Sequence, residues 1–236
     1  MKKVIIKISG ELFNQKGTGT HAYVNKDLMH SLVEQIKTIS KTHRVGMVVG
    51  GGNFFRGCYA SKELGLRQTT ADAIGMLATV MNGLVLQEFF QNADIPSVVL
   101  SSVIMPSVAQ PMQQSIIDEA LNAGKCLIFV GGTGNPYFTT DTNAVVRGLQ
   151  MGAQEVWKAT KVDYIYDADP QVNKNARPLK QITYTAVLEQ NLKVMDLTAV
   201  TLAQEHHMTI RVFNLFAPNA LVTVTQNSEF GSTIRS

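Results

Sequence analysis

Apolar and polar positions along this chain follow two alternating patterns. Short runs rich in β-branched residues predict strands, and longer segments with an apolar residue every three to four positions predict helices. The predicted strands lie at 2–9, 44–51, 95–102, 125–132, 155–160 and 209–214, and the predicted helices at 25–42, 71–92, 113–123, 142–153 and 196–207. This alternation is typical of right-handed βαβ units. The sequence therefore predicts an α/β fold with a mainly parallel central sheet and helices on both faces.

The regular alternation loosens after Asp169-Pro170. Residues 171–187 predict a loop, a short strand and the beginning of a helix. No internal repeat, low-complexity segment or linker interrupts the chain. We therefore expect residues 1–236 to form a single domain, in which the helix at 71–92 is mostly buried.

Composition narrows the class of protein. The chain has 236 residues, of which 45% are hydrophobic and 17% charged, and these values describe a globule with a sizeable core. The net charge of +3 is small, and no block of Lys or Arg follows the opening pair. We expect no nucleic-acid partner, and any anion that the protein binds should be small.

Cysteine, histidine and hydropathy patterns exclude several further classes. Cys58 and Cys126 have no CxxC spacing and are expected to be reduced in a cytoplasmic protein, and the histidines form no HExxH motif that would indicate a metal site. The N-terminal apolar run is too short for a signal peptide. The uncharged run at 95–117 could span a bilayer by length, but it contains three prolines, so we expect no membrane partner.

Three predicted strands end in a glycine-bearing polar turn. The turns are KISGE at 7–11, GGGNFFRG at 50–57 and GGTGNPYFTTD at 131–141. Glycine lets backbone N–H groups approach a ligand closely, and such groups bind anions at helix N-termini. Each turn alone could be purely structural. Ligands of such sheets bind beyond the carboxyl ends of the strands, so three turns at this edge predict a polyphosphate or two phosphorylated ligands.

The standard nucleotide motifs are absent, and single residues in the turns allow two interpretations each. The chain has no GxxxxGK[ST] and no GxGxxG. Lys7 could face solvent from an edge strand or reach a transferring phosphoryl group. Arg56 could bind a phosphate bidentately. Asp141 could cap a helix or take part in chemistry.

Motifs along nearly the whole chain resemble the bacterial-type UMP kinases (uridylate kinases) of the amino-acid kinase family. The motifs are KISGE, VVGGGNFFRG, GMLATVMNG, GTGNPYFTTD, KATKVDYIYDADP and LKVMDLTA. They occur in the expected order, and GMLATVMNG and GTGNPYFTTD are particular to UMP kinases within the family.

The resemblance implies an ATP site and a UMP site. Residues 1–155 are expected to bind mainly UMP, and residues 156–236 mainly the nucleoside of ATP. The expected ATP-binding residues are Lys7, Ile8, Ser9, Gly10, Gly52, Arg56, Thr160, Tyr166 and Asp169. The expected UMP-binding residues are Gly51, Asp72, Thr133, Gly134, Asn135, Pro136, Tyr137, Phe138, Thr139 and Thr140.

The resemblance also implies a reaction, ATP + UMP → ADP + UDP, on the route to UTP and CTP. Lys7, Arg56 and Asp141 are the expected catalytic residues, with Asp141 orienting the lysines Lys7 and Lys193. The phosphate oxygen of UMP is already ionised at neutral pH, so no general base is needed. Mg²⁺ is expected on the ATP phosphates, without a dedicated protein site.

Assembly and regulation come from the resemblance alone. It implies a cytoplasmic homohexamer that UTP inhibits. Residues 12–23 depart from the glycine-rich run of the family, so activation by GTP is not carried over to this chain.

Two other functions fit parts of the sequence. One is a related kinase acting on an acyl or carbamoyl group, which the loop Thr133–Thr140 argues against. The other is a nucleotide-binding storage or regulatory protein without turnover. The joint presence of Lys7, Arg56 and Asp141 argues against that function.

Overall fold

The computed structural model of the chain describes residues 1–14, 24–56, 62–170 and 172–236. The strands within these residues are β1 (Lys2–Ile8), β2 (His43–Val49), β3 (Ser97–Ser101), β4 (Gln110–Pro111), β5 (Cys126–Val130), β6 (Glu155–Thr160), β7 (Ile165–Tyr166), β8 (Pro178–Leu179), β9 (Gln181–Thr183), β10 (Thr209–Asn214) and β11 (Ser232–Arg235). Nine of them form one sheet in the order β4-β3-β5-β2-β1-β6-β10-β11-β9. Every neighbouring pair is parallel except β10 and β11, and β7 and β8 form a separate antiparallel pair.

Helices cover both faces of the sheet. They are α1 (Lys26–Ile39), α2 (Gln68–Gln91), α3 (Gln114–Asn122), α4 (Thr140–Met151), α5 (Tyr184–Glu189), α6 (Leu197–Glu205) and α7 (Ala220–Gln226), and a short 3₁₀ helix spans Gly10–Leu12. Val4, Ile6 and Ile8 of β1 pack with α1, α2 and α7, whereas Ile5 packs with α3 to α6 on the opposite face. The two apolar layers follow from the alternation of side chains along a strand.

Local sequence signals set the ends of α1 and α4. The Asn25 side chain accepts from the N–H of Leu28 at the start of α1, and Thr139 accepts from the N–H of Asp141 at the start of α4. Helix α4 ends at Gly152, whose φ of 68° is a left-handed conformation that glycine adopts without strain. The chain is thereby turned back towards the sheet before β6.

The central strands contain the most buried side chains. Trp157 on β6 is 1% exposed and packs edge-on to Phe213 of β10. Its indole N–H donates to Glu155 at 2.6 Å. The donor of this large side chain is therefore satisfied inside the core.

The predicted fold class is confirmed, with two corrections. Helix α2 is not mostly buried, because Leu77 and Met81 are 48% and 50% exposed. The structure also adds elements that the sequence pattern did not predict: β4, β7, α7 and β11.

Membrane-spanning potential is confined to α2 among the described residues. This helix is long and apolar enough to cross a bilayer, as core helices of soluble proteins often are, and it packs on β3 and β5. The uncharged run at 95–117 forms β3, β4 and the beginning of α3 instead.

Candidate active site

The three glycine turns meet at the carboxyl edge of the sheet. Strand β1 lies in the middle of the sheet, and the N–H of Gly50 donates to Ile8 O at 2.9 Å, which joins the first two turns. A Cβ on Gly10 would lie 2.6 Å from Gly50 O, so only glycine allows this approach. The turns line a cavity of about 320 Å³. Predicted residues that line it are Lys7, Ser9, Gly10, Gly51, Gly52, Asp72, Thr133, Asn135, Phe138, Thr139 and Thr140.

A second cavity, of about 540 Å³, opens beside β6. Thr160, Tyr166 and Asp169 line it, together with Lys158 and Lys193. The structure therefore brings together the three residues that the resemblance assigns to the ATP nucleoside.

One buried carboxylate links the two cavities. Lys7 lines the first cavity and Lys158 lines the second. Lys7 Nζ lies 2.9 Å from Asp141 Oδ1, and Lys158 Nζ lies 2.7 Å from Asp141 Oδ2. The two lysines are partners in the parallel register of β1 and β6, so both ammonium groups reach the carboxylate from adjacent strands.

The structure excludes the purely structural alternative for each of these two side chains. Lys7 is only 6% exposed and lies on a central strand, so it is not a solvent-facing edge lysine. Asp141 does not cap α4, because Thr139 does. The expected pairing of Asp141 with Lys193 is wrong: among the described residues its ion partners are Lys7 and Lys158.

Ionisation of the bridging groups follows from burial and from the neighbouring charges. Burial raises the pKa of Asp141, but the positive charges of Lys7 and Lys158 outweigh this effect and leave the pKa below its ordinary value. Burial lowers the pKa of Lys158, and the carboxylate of Asp141 opposes that shift. The arrangement is a carboxylate held between two cations, with both cations next to a cavity.

The loop after β5 closes the first cavity on the side of α2. Asp72 Oδ2 accepts from the N–H of Tyr137 at 2.8 Å, and Asp72 Oδ1 accepts from Gln68 Nε2 at 2.7 Å. Tyr137 has a positive φ of 70° and is 71% exposed. Asp72 therefore holds the loop directly, and the ring of Tyr137 points away from the cavity. Gly134 and Pro136 also lie outside the cavity lining.

Two other predicted residues take positions that the sequence did not indicate. The Ile8 side chain is fully buried in the core, so only its backbone faces the turns. Arg56 Nη2 pairs with Glu11 Oε1 at 2.9 Å, and both side chains are about half exposed. Arg56 lies beside the first cavity and is not part of its lining.

Helix α2 fixes two glycine turns through buried side chains that sequence reasoning missed. Asn82 Nδ2 donates to Gly50 O at 2.6 Å, and Thr79 Oγ1 accepts from the N–H of Gly131 at 2.8 Å. Both side chains lie within GMLATVMNG, three positions apart, which places them on one helix face. Two polar residues at this spacing in an otherwise apolar helix were the sequence feature from which the two side chains could have been identified.

Asp196 was also missed, although it lies within LKVMDLTA. It caps α6 by accepting from the N–H of Ala199 at 2.9 Å, and it accepts from Thr142 Oγ1 at 2.7 Å and from the hydroxyl of Thr139. Asp196 therefore ties the beginning of α4, which carries Asp141, to the segment that lines the second cavity.

Cysteine and metal chemistry have little support among the described residues. Burial raises the pKa of Cys126 to about 12, so its thiol is not reactive at neutral pH. Cys58 lies outside the described residues, as do positions 15–23 of the segment that departs from the family pattern. No group of three or more His, Cys, Asp or Glu side chains that could hold a metal ion occurs in the described ranges.

Comparison with known proteins first defines the class. Residues 2–214 match the model of the amino acid kinase family. A uridylate kinase from Magnetococcus marinus is 43% identical over 225 residues, covering 94% of this chain and 91% of the relative. A solved UMP kinase from Ureaplasma parvum has a TM-score of 0.93 at 36% identity, covering 100% of this chain and 99% of that one. A solved UMP kinase from Bacillus anthracis has a TM-score of 0.93 at 30% identity, covering 99% and 96%.

These matches span almost the whole chain and agree with one another. The chain belongs to the amino acid kinase family and, within it, to the uridylate kinases. The resemblance drawn from the sequence motifs is confirmed.

Proposed function

We propose that this protein is a UMP kinase that transfers the γ-phosphoryl group of ATP to UMP and releases ADP and UDP. The observation that carries the proposal is the pair of cavities joined at Asp141, whose carboxylate pairs with one lysine from each cavity. A kinase needs a donor and an acceptor phosphate side by side, with cations at their junction. The chain's membership of the uridylate kinases supports UMP as the acceptor.

The second cavity is the proposed site of the ATP nucleoside, so residues 156–236 supply most of that contact. Thr160, Tyr166 and Asp169 line its wall. Tyr166 provides an aromatic ring at that wall. The ATP phosphates would extend from this cavity across Lys158 to the first glycine turn, where Ser9 and Gly10 offer a hydroxyl and a backbone N–H group.

The first cavity is the proposed UMP site, formed mainly by residues 1–155. Gly51 and Thr140 lie where the acceptor phosphate would be held, and Asp72 is the proposed ribose contact. The loop Thr133–Thr140 would enclose the uracil. Arg56, now paired with Glu11 at the side of the cavity, would exchange that carboxylate for phosphate oxygens, which suit its planar fork equally well.

Charge neutralisation is the proposed catalytic contribution of the lysines. Phosphoryl transfer requires in-line positioning and stabilisation of negative charge on the transferring oxygens. Lys7 is buried, Lys158 is largely buried, and Asp141 already fixes both, so they would meet the developing charge without reorganising. UMP needs no general base, because its phosphate oxygen is ionised at neutral pH.

The described residues offer no ligand set for a resident metal ion. Asp141 is the acidic group at the junction, and two ammonium groups already neutralise its oxygens. Mg²⁺ is therefore proposed to arrive on the ATP phosphates, and its chemistry would be charge neutralisation there. No step is derived through the metal.

The wider setting is part of the proposal. UDP formation would serve pyrimidine nucleotide biosynthesis in the cytoplasm, and UTP, as the distant product, would inhibit the enzyme. A homohexamer is proposed from the family resemblance. Activation by GTP is not part of the proposal, because residues 12–23 depart from the glycine-rich run of the family.

A UDP-formation assay with Mg-ATP and UMP tests the proposal, with Lys7→Ala as the paired variant. We expect turnover by the unaltered protein and a fall in kcat of roughly 10²–10³ for Lys7→Ala, the range for losing one preorganised charge-stabilising group. Absence of UDP with the unaltered protein would refute the function. A Lys7→Ala enzyme with near-normal kcat would refute the role of the lysine alone.

A further inference from the structure

Arg147 on α4 is a buried cation to which the proposed mechanism gives no part. Its side chain is 5% exposed, and no carboxylate lies within 4 Å of it among the described residues. Burial lowers the pKa of its guanidinium group. A buried charge without a counter-charge destabilises the fold unless hydrogen bonds compensate for it. The bonds that Arg147 makes therefore indicate what it does.

The guanidinium group binds neutral oxygens at the base of the acceptor loop. Nη2 donates to Ser102 Oγ at 2.7 Å and to Gly132 O at 3.3 Å, and Nη1 donates to Gln150 Oε1 at 2.5 Å. Ser102 Oγ in turn donates to Gly132 O at 2.8 Å. The carbonyl of Gly132 thus receives two hydrogen bonds from the side away from the cavity.

The orientation of this peptide is not set by local sterics. Gly131, Gly132 and Gly134 all have positive φ, at 75°, 56° and 81°. Glycine crosses such regions with little cost, so the peptide between Gly132 and Thr133 could flip if nothing held its carbonyl. The hydrogen bonds from Arg147 and Ser102 select one orientation.

Fixing the carbonyl also fixes a donor on the opposite side. The peptide bond after Gly132 is trans, so its C=O and its N–H point in opposite directions. With Gly132 O directed towards Arg147, the N–H of Thr133 is directed away from it. Thr133 lines the first cavity, and its N–H donates to no other described residue. It is a donor held ready for a ligand.

We propose that Arg147 is a positioning residue for the acceptor nucleotide: it holds the Gly132 carbonyl so that the Thr133 N–H is presented to an oxygen of the bound nucleoside monophosphate. The inference rests on the proposed function of the first cavity. Arg147 is not among the residues that line that cavity and acts only through the peptide. Its loss should therefore weaken acceptor binding and leave the ATP side unchanged.

The chain supplies a matched control in Arg211. This arginine is 6% exposed, and its Nη2 also donates to backbone carbonyls, those of Asn227 at 3.1 Å and Phe230 at 3.0 Å. It lies on β10 and lines neither nucleotide cavity. Arg147→Met and Arg211→Met therefore remove the same kind of buried group, one beside the acceptor loop and one remote from it.

The experiment compares steady-state kinetics of the full-length variants at a temperature well below both Tm values. Arg147→Met should raise KM for UMP roughly tenfold, the effect of one lost hydrogen bond to the ligand, with KM for ATP and kcat within about twofold of the unaltered protein. Arg211→Met should leave both KM values unchanged. Equal changes in KM for UMP in the two variants would overturn the inference, as would an equal rise in KM for ATP in Arg147→Met.

Two further measurements keep the test decisive. If Arg147→Met does not fold, Ser102→Ala removes the other donor to the same carbonyl and should raise KM for UMP about threefold; an unchanged KM would refute the inference. Calorimetric UMP binding requires no turnover. A protein that binds UMP without forming UDP refutes the proposed function, whereas Arg147→Met binding UMP as tightly as the unaltered chain refutes only the role of Arg147.

Discussion

Replacing Asp141 by Asn removes the charge that holds two lysines and changes the shape of the side chain very little. At present the carboxylate lies 2.9 Å from Lys7 Nζ and 2.7 Å from Lys158 Nζ, and all three side chains are largely buried. In the variant, two ammonium groups would face each other across a neutral amide. We expect a less stable protein in which the ATP phosphates become the replacement counter-charge.

The size of the effect follows from the burial of the pairs. Breaking a buried ion pair by removing one partner costs about 3–5 kcal/mol, because a buried charge is left uncompensated. Here one substitution breaks two pairs, although part of the loss is recovered if Lys158 gives up its proton, as its lowered pKa favours. A change of 1 kcal/mol shifts Tm by about 2–4 °C in a domain of this size. Asp141→Asn should therefore lower Tm by roughly 6–20 °C at pH 7.

The assay is thermal unfolding as a function of pH, and the pKa of Asp141 determines in which direction the Tm difference changes with pH. The folded pKa of Asp141 is below the ordinary value of 3.8, so its contribution to stability is complete above that value and is lost as pH falls through the folded pKa. The Tm difference between the unaltered protein and Asp141→Asn should be largest near neutral pH and should shrink below about pH 4. Asp118→Asn, on the exposed side of α3, controls for the substitution itself.

Thermal unfolding in the presence of Mg-ATP tests whether the ATP phosphates contact the two lysines. Phosphate oxygens would neutralise Lys7 and Lys158 in the variant, so saturating Mg-ATP should raise the Tm of Asp141→Asn by more degrees than that of the unaltered protein. A variant whose Tm lies within about 1 °C of normal at pH 7 would contradict the argument that the buried pairs stabilise the fold. Equal stabilisation by Mg-ATP would contradict the proposal that the phosphates meet these two lysines.

The remaining predictions concern the acceptor. Asp72→Asn should raise KM for UMP by roughly tenfold to a hundredfold, the effect of losing one charge-assisted hydrogen bond, and should leave KM for ATP nearly unchanged; a shift in the ATP value instead would show that Asp72 does not contact the ribose. The loop Thr133–Thr140 should discriminate against CMP by at least ~10³ in kcat/KM, because cytosine reverses the donor and acceptor pattern of uracil and leaves buried groups unpaired. Phosphorylation of CMP within tenfold of UMP, at saturating Mg-ATP, would place recognition at the ribose and phosphate alone.

The long elements of the fold were predictable because their patterns are strong. The segment EVWKAT coincides with β6, and TIRVFN coincides with β10. The missed strands β4 and β7 have two residues each, too few for a period to show. Strand β11 pairs antiparallel to β10 although helix α7 lies between them along the chain, so only the tertiary structure specifies this contact.

The site was predictable where a residue breaks its local pattern. Lys7 was found because a lysine in an apolar strand is unusual, and the same signal is present at Lys158 in EVWKAT. Lys158 was missed as a partner of Asp141 because a sequence does not reveal which strands are neighbours; the parallel pairing of β1 with β6 decides that. Arg147, in contrast, has the sequence context of an ordinary polar helix residue, and only its distance to the Gly132 carbonyl indicates a role.

The fluorescence of Trp157 reports on the buried centre of the sheet. It is the one tryptophan in the chain, and its indole ring is 1% exposed, between β1 and β10. Indole fluorescence shifts to longer wavelength when water reaches the ring, so emission should stay constant until the central strands separate. Trp157 lines neither nucleotide cavity, and its side chain points to the opposite face of β6 from its neighbour Lys158. Unfolding curves measured by the fluorescence of Trp157 should therefore report the unfolding of the whole core. The stabilisation by an added nucleotide can then be measured as the shift in the midpoint of the curve.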